Sequence, residues 1–184
     1  MKGASVFWVF PVGIIFLLIG GFSCGGETES VGTPAPCLIG GNVAFFDGDE
    51  GDWVHPGTDT ITMGDWIANI RQDTSTTPHT VLLSLHPVDS GQGSHWSFTF
   101  SSHELNNSLN SAVYEDAQRY PFESAGHPGI SINGDGRACN ECCGRFQIHE
   151  LQMEGTQLRS FTATFEQNCE CGSSILHGCV HFEQ

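Results

Sequence analysis

Beyond residue 40, almost every apolar stretch of this chain alternates with period two, and that alternation limits the fold before anything else does. In His95-Trp96-Ser97-Phe98-Thr99-Phe100-Ser101 the aromatics fall on one face and the polar residues on the other, the pattern of a strand with one buried side. Leu158 to Gln167 repeats it, with Phe161, Ala163 and Phe165 inward and Thr162, Thr164 and Glu166 outward. Val43 to Phe46, Ile61 to Met63, Thr80 to Leu85, Arg145 to Met153 and Ile175 to Phe182 complete about seven strands, separated by turns rich in Gly, Asn and Asp. No segment carries a long 3.6-residue stripe; Ser111 to Arg119 is expected to make a helical turn or two before Pro121. The expected fold is all-β, an antiparallel β-sandwich, with a β-barrel-like closure as the alternative. Without crossover helices, Gly40-Gly41 and Gly134-Asp135-Gly136 are turns and not phosphate cradles, which removes the common nucleotide cofactors.

The N-terminus sets the compartment. Residues 6 to 22 (VFWVFPVGIIFLLIGGF) follow Lys2 and precede Ser23-Cys24 and a polar stretch, the layout of a signal peptide. The run is short for a membrane span and interrupted by Pro11. Two processing routes fit. A lipoprotein signal wants a large aliphatic three residues before its cysteine, where this chain has Gly21, while Gly21-x-Ser23 suits ordinary signal peptidase. Lipid on Cys24 leaves an odd number of cysteines for the fold and simple cleavage an even one, so parity favours a plain secreted protein. The tether Gly25 to Pro36 favours the lipoprotein, because a membrane-anchored globule needs a flexible stand-off. The expectation is a signal peptide over 1–23, a tether over 24–36 and a single β-rich domain over 37–184, anchored in the cell envelope through Cys24 and facing the periplasm or the outside, or else secreted.

Charge narrows the partners. Lys2 is the only lysine and leaves with the signal, so five arginines face all 21 acidic residues. Such a surface repels phosphate backbones and acidic headgroups, which argues against nucleic acid and against adsorption to anionic lipid. The densest acidic segment is Asp47-Gly48-Asp49-Glu50-Gly51-Asp52, in which Asp47, Asp49, Glu50 and Asp52 on a glycine-bent loop are candidate calcium ligands. It is not an EF-hand, since the twelfth-position Glu is absent and strands flank it. A solvated acidic turn is the plainer reading.

Six of the eight cysteines lie in the last quarter: Cys139, Cys142, Cys143, Cys169, Cys171 and Cys179. In an exported chain they are expected to form disulfides that staple the C-terminal part. Adjacent Cys142 and Cys143 point different ways, so each is expected to reach a different partner among the cysteines of the last two strands. Cys37 can take an odd cysteine or stay free. The competing reading is a Cys/His metal site, from Cys139-x-x-Cys142 with Cys169-x-Cys171, or from His177, Cys179 and His181 on one strand face.

The blocks Gly51-Asp52-Trp53-Val54-His55-Pro56-Gly57, Trp96 to Phe100, Tyr114 through Arg119-Tyr120-Pro121-Phe122, Pro128 to Asn140 with its GDGRACN, Gly144-Arg145-Phe146, and Phe161 to Glu170 with its FEQNCE together resemble a recurrent β-rich domain of bacterial secreted and surface proteins without an assigned activity. The resemblance spans Gly40 to Phe182 and implies a bridge between Cys139 and Cys169. It implies no catalytic residue, and Cys142, Cys143, Cys171 and Cys179 depart from it. With that bridge made, Arg137 is expected to pair with Glu166 or Glu170.

An enzyme needs a nucleophile, a base and a group that orients the base. Ser94-His95 with Asp89, and Glu150 with Glu154, are the candidates, and none sits in a G-x-S-x-G or H-E-x-x-H frame. The expectation is a non-catalytic cell-surface module with a surface protein or a carbohydrate as partner; a secreted hydrolase with paired carboxylates is the alternative. Trp53 and Trp66, in Gly- and Asp-rich surroundings, read first as core and second as sugar-stacking platforms.

Overall fold

The computed structural model describes residues 35–38, 40–62, 65–71, 78–86 and 95–184; the expected signal peptide, Cys24 and nearly all of the tether lie outside them. Ten strands form: β1 (Val43–Gly48), β2 (Gly57–Ile61), β3 (Asp65–Arg71), β4 (Thr80–His86), β5 (Trp96–Ser101), β6 (Val113–Arg119), β7 (Gly129–Asn133), β8 (Cys142–Glu154), β9 (Gln157–Cys169) and β10 (Leu176–Glu183). Among the described residues the only helical turns are the short 3-10 segments Ala35–Leu38 and His103–Leu105.

All ten strands belong to one sheet, in the order β2-β1-β10-β9-β8-β6-β7-β5-β4-β3. Every neighbouring pair is antiparallel except β6 and β7, which run parallel for a short stretch, Gln118 beside Gly129 and Arg119 beside Ile130. That parallel stitch joins what the sequence suggests as two sheets. The expected two-sheet sandwich therefore gives way to a single sheet curled into a half-barrel, and the barrel-like alternative fits.

The curl follows from the core. Phe98 and Phe100 on β5 are fully buried, and Phe100 lies 5.2 Å from Phe146 on β8 and 5.4 Å from Phe161 on β9. Phe98 lies 5.8 Å from Phe46 on β1 and 6.3 Å from Phe165 on β9. One strand thus meets three others from the far half of its own sheet. Each such ring contributes about 1.5–3 kcal/mol by leaving water. On the inner face of β10 the Phe165 ring fills the space a Cβ would need at Gly178, so the glycine lets the two strands' inner faces close up.

Several elements differ from expectation: Ile61, expected to open a strand reaching Met63, ends β2, Met63 lies outside the described residues, and β3 falls where no strand is expected. Ser111 to Arg119 carries β6 and not a helical turn; its inward residues Tyr114 and Ala117 are three apart because the register with β8 shifts between them. A bulge thus gives a strand the spacing of a helix. β7 offers only Ile130 and Ile132 to an alternation count, and β2 turns almost entirely to solvent. Thr162 and Thr164, expected outward, do face away from the core but are buried by their neighbours: the Thr162 hydroxyl meets His181 Nδ1 at 2.7 Å and Thr164 meets His149 Nε2 at 3.0 Å.

Trp96 occupies the hinge between core and turns. It is 2% exposed, lies 4.2 Å from Phe46, and its ring covers Gly134 at the end of β7. A methyl at position 134 would enter that ring. Gly134→Ala is therefore expected to cost about 1–3 kcal/mol, read as a lower melting temperature; an unchanged melting temperature would contradict this packing.

Candidate functional site

Three turns meet at one end of the curled sheet: 49–56 after β1, 134–141 after β7, and 170–175 after β9. Two disulfides draw the second and third together, Cys139–Cys169 and Cys143–Cys171. A third, Cys37–Cys179, pins the N-terminal 3-10 segment to β10. Three such bonds belong to a protein that meets an oxidising compartment. Cys142 is a correction to the cysteine reading, since it bonds to no other cysteine. Its side chain turns into the core, opposite to that of Cys143, where its S–H donates to the Ile130 carbonyl at 3.3 Å. Burial pushes this thiol up to about 12, so it stays protonated. Because Cys139, Cys169, Cys143, Cys171 and Cys179 are all bridged, neither a four-thiolate site nor a His177, Cys179 and His181 site keeps its thiolates.

The first turn is organised by its own acids. Asp52, 4% exposed, accepts the Val54 and His55 N–H groups at 2.9 and 2.8 Å. Asp49 accepts the Ile175 N–H at 2.9 Å, and its own N–H donates to the Ile175 carbonyl at 2.9 Å. Asp47 accepts the Thr58 hydroxyl at 2.9 Å, and Glu50 is exposed. Three of the four candidate calcium ligands are thus already engaged, Asp52 within the loop, Asp49 with the 170–175 turn and Asp47 with β2. Among the described residues no group of three or more His, Cys, Asp or Glu side chains is placed to hold a metal ion. The hydrogen-bonded loop predicts the same melting temperature in millimolar calcium as in chelator; a rise in calcium would show instead that the loop rearranges to ligate it.

Trp53 leaves this turn 60% exposed, against the core reading, and Arg137 from the second turn lies over its ring at 5.7 Å. Arg137 Nη1 also donates to the Trp53 carbonyl at 3.4 Å. The expected Arg137 ion pairs are corrected by better-placed partners. Arg145 takes Glu166 through two bonds of 2.9 and 2.8 Å and holds its carboxyl below the usual carboxylate range. Glu170 accepts the Asn140 N–H at 3.0 Å. Beside the Trp53 ring opens a cleft of about 580 Å³ whose polar lining includes Asn140, Glu170, Ser173 and Ser174.

Glu170 and Cys171, at the cleft edge, are consecutive non-glycine residues in the left-handed region, with φ of 56° and 51°. That conformation costs roughly 1–2 kcal/mol per residue. The Cys171 disulfide and the Glu170 N–H bond to the Glu141 carbonyl hold them there. On the other side of Asn140 lies a second cleft of about 400 Å³, with Gln118, Arg119, Phe122 and the Cys143–Cys171 bridge in its walls. Arg119 lies 4.9 Å from the Phe122 ring centroid and donates to the Asn140 carbonyl at 2.8 Å. Sequence reasoning gives Arg137 an ion pair and no place in a site, and gives Asn140, Arg119 and Phe122 no role; the signals for them are the GDGRACN block and the stretch Arg119 to Phe122.

Trp66 is half-buried and stacks on Phe98 at 6.3 Å, away from these clefts. Of the catalytic candidates, Asp89 and Ser94 lie outside the described residues. Glu150 accepts the Gln152 amide, and Glu154 pairs with Arg159. Four residues along a strand span about 13 Å, beyond the separations that serve glycoside hydrolysis. Thr162, His181 and Glu183 line up as hydroxyl, imidazole and carboxylate, yet Thr162 is 6% exposed in mid-sheet, out of reach of a substrate carbonyl.

Glu123 is the described carboxyl most at odds with its surroundings. It sits against Gly129 with Oε2 buried and without a partner. Burial above all, then Glu104, raises its pKa, while a bond to its own backbone, His103 and Ser101 oppose the rise. A folded pKa above the unfolded one contributes stability below the ordinary carboxylate value and loses it as pH rises through the folded value. The melting temperature of Glu123→Gln relative to the native protein is therefore expected to increase from about pH 4 to pH 7. A constant offset would contradict it.

Compared with known proteins, the chain matches no family model, no curated protein and no solved structure.

Proposed function

We propose that this protein is a non-catalytic module of the bacterial cell envelope, held to the membrane by lipid on Cys24, that binds carbohydrate in the Trp53 cleft. The observation that carries the reading is the exposed Trp53 ring, held on one side by Arg137 beside a cleft edged with amide, hydroxyl and carboxylate groups. A flat apolar face with convergent polar groups is what a sugar ring offers and requires in return. The volume lies within the usual range for small-ligand sites, about 300–1,000 Å³. Support for a binding role over a hydrolytic one comes from the two carboxylates at the cleft. Asp52 is tied to two backbone amides and Glu170 to a third.

The lipid anchor draws support from cysteine arithmetic. Six described cysteines pair among themselves and Cys142 is buried, so no described thiol stands at the surface as a partner for Cys24. Modification of Cys24 removes the leftover thiol. The resemblance of the GDGRACN and FEQNCE blocks to bacterial surface domains belongs to the same proposal.

The binding test is titration of the folded protein against an array of neutral saccharides. Trp53→Ala is expected to weaken the interaction by about two- to tenfold without lowering the melting temperature. Equal binding by the variant would remove the cleft from the account, and release of hydrolysed product would favour the hydrolase. For the anchor, intact mass after detergent extraction is expected to exceed the peptide mass by acyl groups; an unmodified, water-soluble Cys24 form would refute it.

A further inference from the structure

We propose that the clefts on either side of Asn140 are adjoining subsites of one groove for an extended, neutral oligosaccharide; this rests on the carbohydrate reading of the Trp53 cleft. The two clefts share a construction. Each is edged by an exposed aromatic ring with an arginine on one face: Trp53 with Arg137 at 5.7 Å, and Phe122, 70% exposed, with Arg119 at 4.9 Å. A ring so exposed with one face covered by a guanidinium presents its other face to water. Scattered surface aromatics need no explanation, but two of matched construction, each beside its own cleft, mark a surface that something covers.

Asn140 lines both clefts, and its backbone is clamped from both sides, the N–H on Glu170 at 3.0 Å and the carbonyl on Arg119 at 2.8 Å. The Cys139–Cys169 and Cys143–Cys171 bridges stiffen the floor between them. Two stacking platforms at a fixed separation select a ligand long enough to touch both, and rigidity keeps the ordering cost of such binding low. The ligand is neutral because 21 acidic residues against six basic ones repel a polyanion, and the two arginines at the site are already engaged with rings and carbonyls. A chain of hydroxyls also suits a groove whose polar groups are amides, hydroxyls and carboxylates in place of free cations.

The test is calorimetric titration of the full chain with β-linked glucose and N-acetylglucosamine oligomers, from monosaccharide to hexasaccharide. Affinity is expected to step up by about two- to tenfold at the length that reaches the second ring and then level off. Phe122→Ala removes the step while leaving short-oligomer affinity intact, Phe122→Trp keeps it, and Trp53→Ala weakens every length. Affinity independent of length, or a step that survives Phe122→Ala, overturns the groove and leaves the Trp53 cleft standing. Failure of every saccharide to bind, or capture of a peptide in their place, overturns both.

Discussion

The arrangement at the turn end depends on two covalent bonds, Cys139–Cys169 and Cys143–Cys171, which hold the start of β8 against the end of β9. They close 30 and 28 residues of chain, spanned almost entirely by the long β8–β9 hairpin. In the chain-entropy view each restricts the unfolded state by about 3–4 kcal/mol. That is enough to hold Glu170 and Cys171 in left-handed backbone, where side chains ordinarily do not go. The bridges thus add a covalent constraint at the edge of the core, into which Cys139 is itself packed.

The core also reaches the same place by packing. Phe46 packs against Trp96 with the rings tilted, Trp96 covers Gly134, and the turn that begins at Gly134 carries Arg137 to the face of Trp53. His55 touches both Phe46 and Trp96, at 5.4 and 5.6 Å, and so ties the Trp53 loop to the same aromatic column. A displacement in the column would move the ring platform and its arginine together. The candidate site is thus the end of a packed chain of rings, fixed on its other flank by disulfides.

How much of this was legible follows from which interactions are local. Alternation in β5 and β9 is a local property, and Phe98, Phe100, Phe161 and Phe165 are buried where the period-two count puts them. The single curled sheet was not legible, because it hangs on a two-residue parallel pairing between Gln118-Arg119 and Gly129-Ile130 that leaves no periodic mark. β6 was misread because its bulge sets Tyr114 and Ala117 three residues apart. The acidic loop was visible, but the uses of its carboxylates were not: Asp49 answers Ile175, more than a hundred residues away. Arg137 shows the same limit, since the charge suggested a carboxylate and the geometry supplied an indole.

The central claim is that the two staples rigidify the turn end beyond what the packing of the sheet supplies. Amide hydrogen exchange on the folded protein, with the disulfides intact and after reduction, tests it directly. The account predicts that reduction accelerates exchange across 134–141 and 169–175 and in the Trp53 loop, while β4, β5 and the middle of β9 stay protected. Uniform loss of protection throughout the sheet, or no change at the three turns, would contradict it.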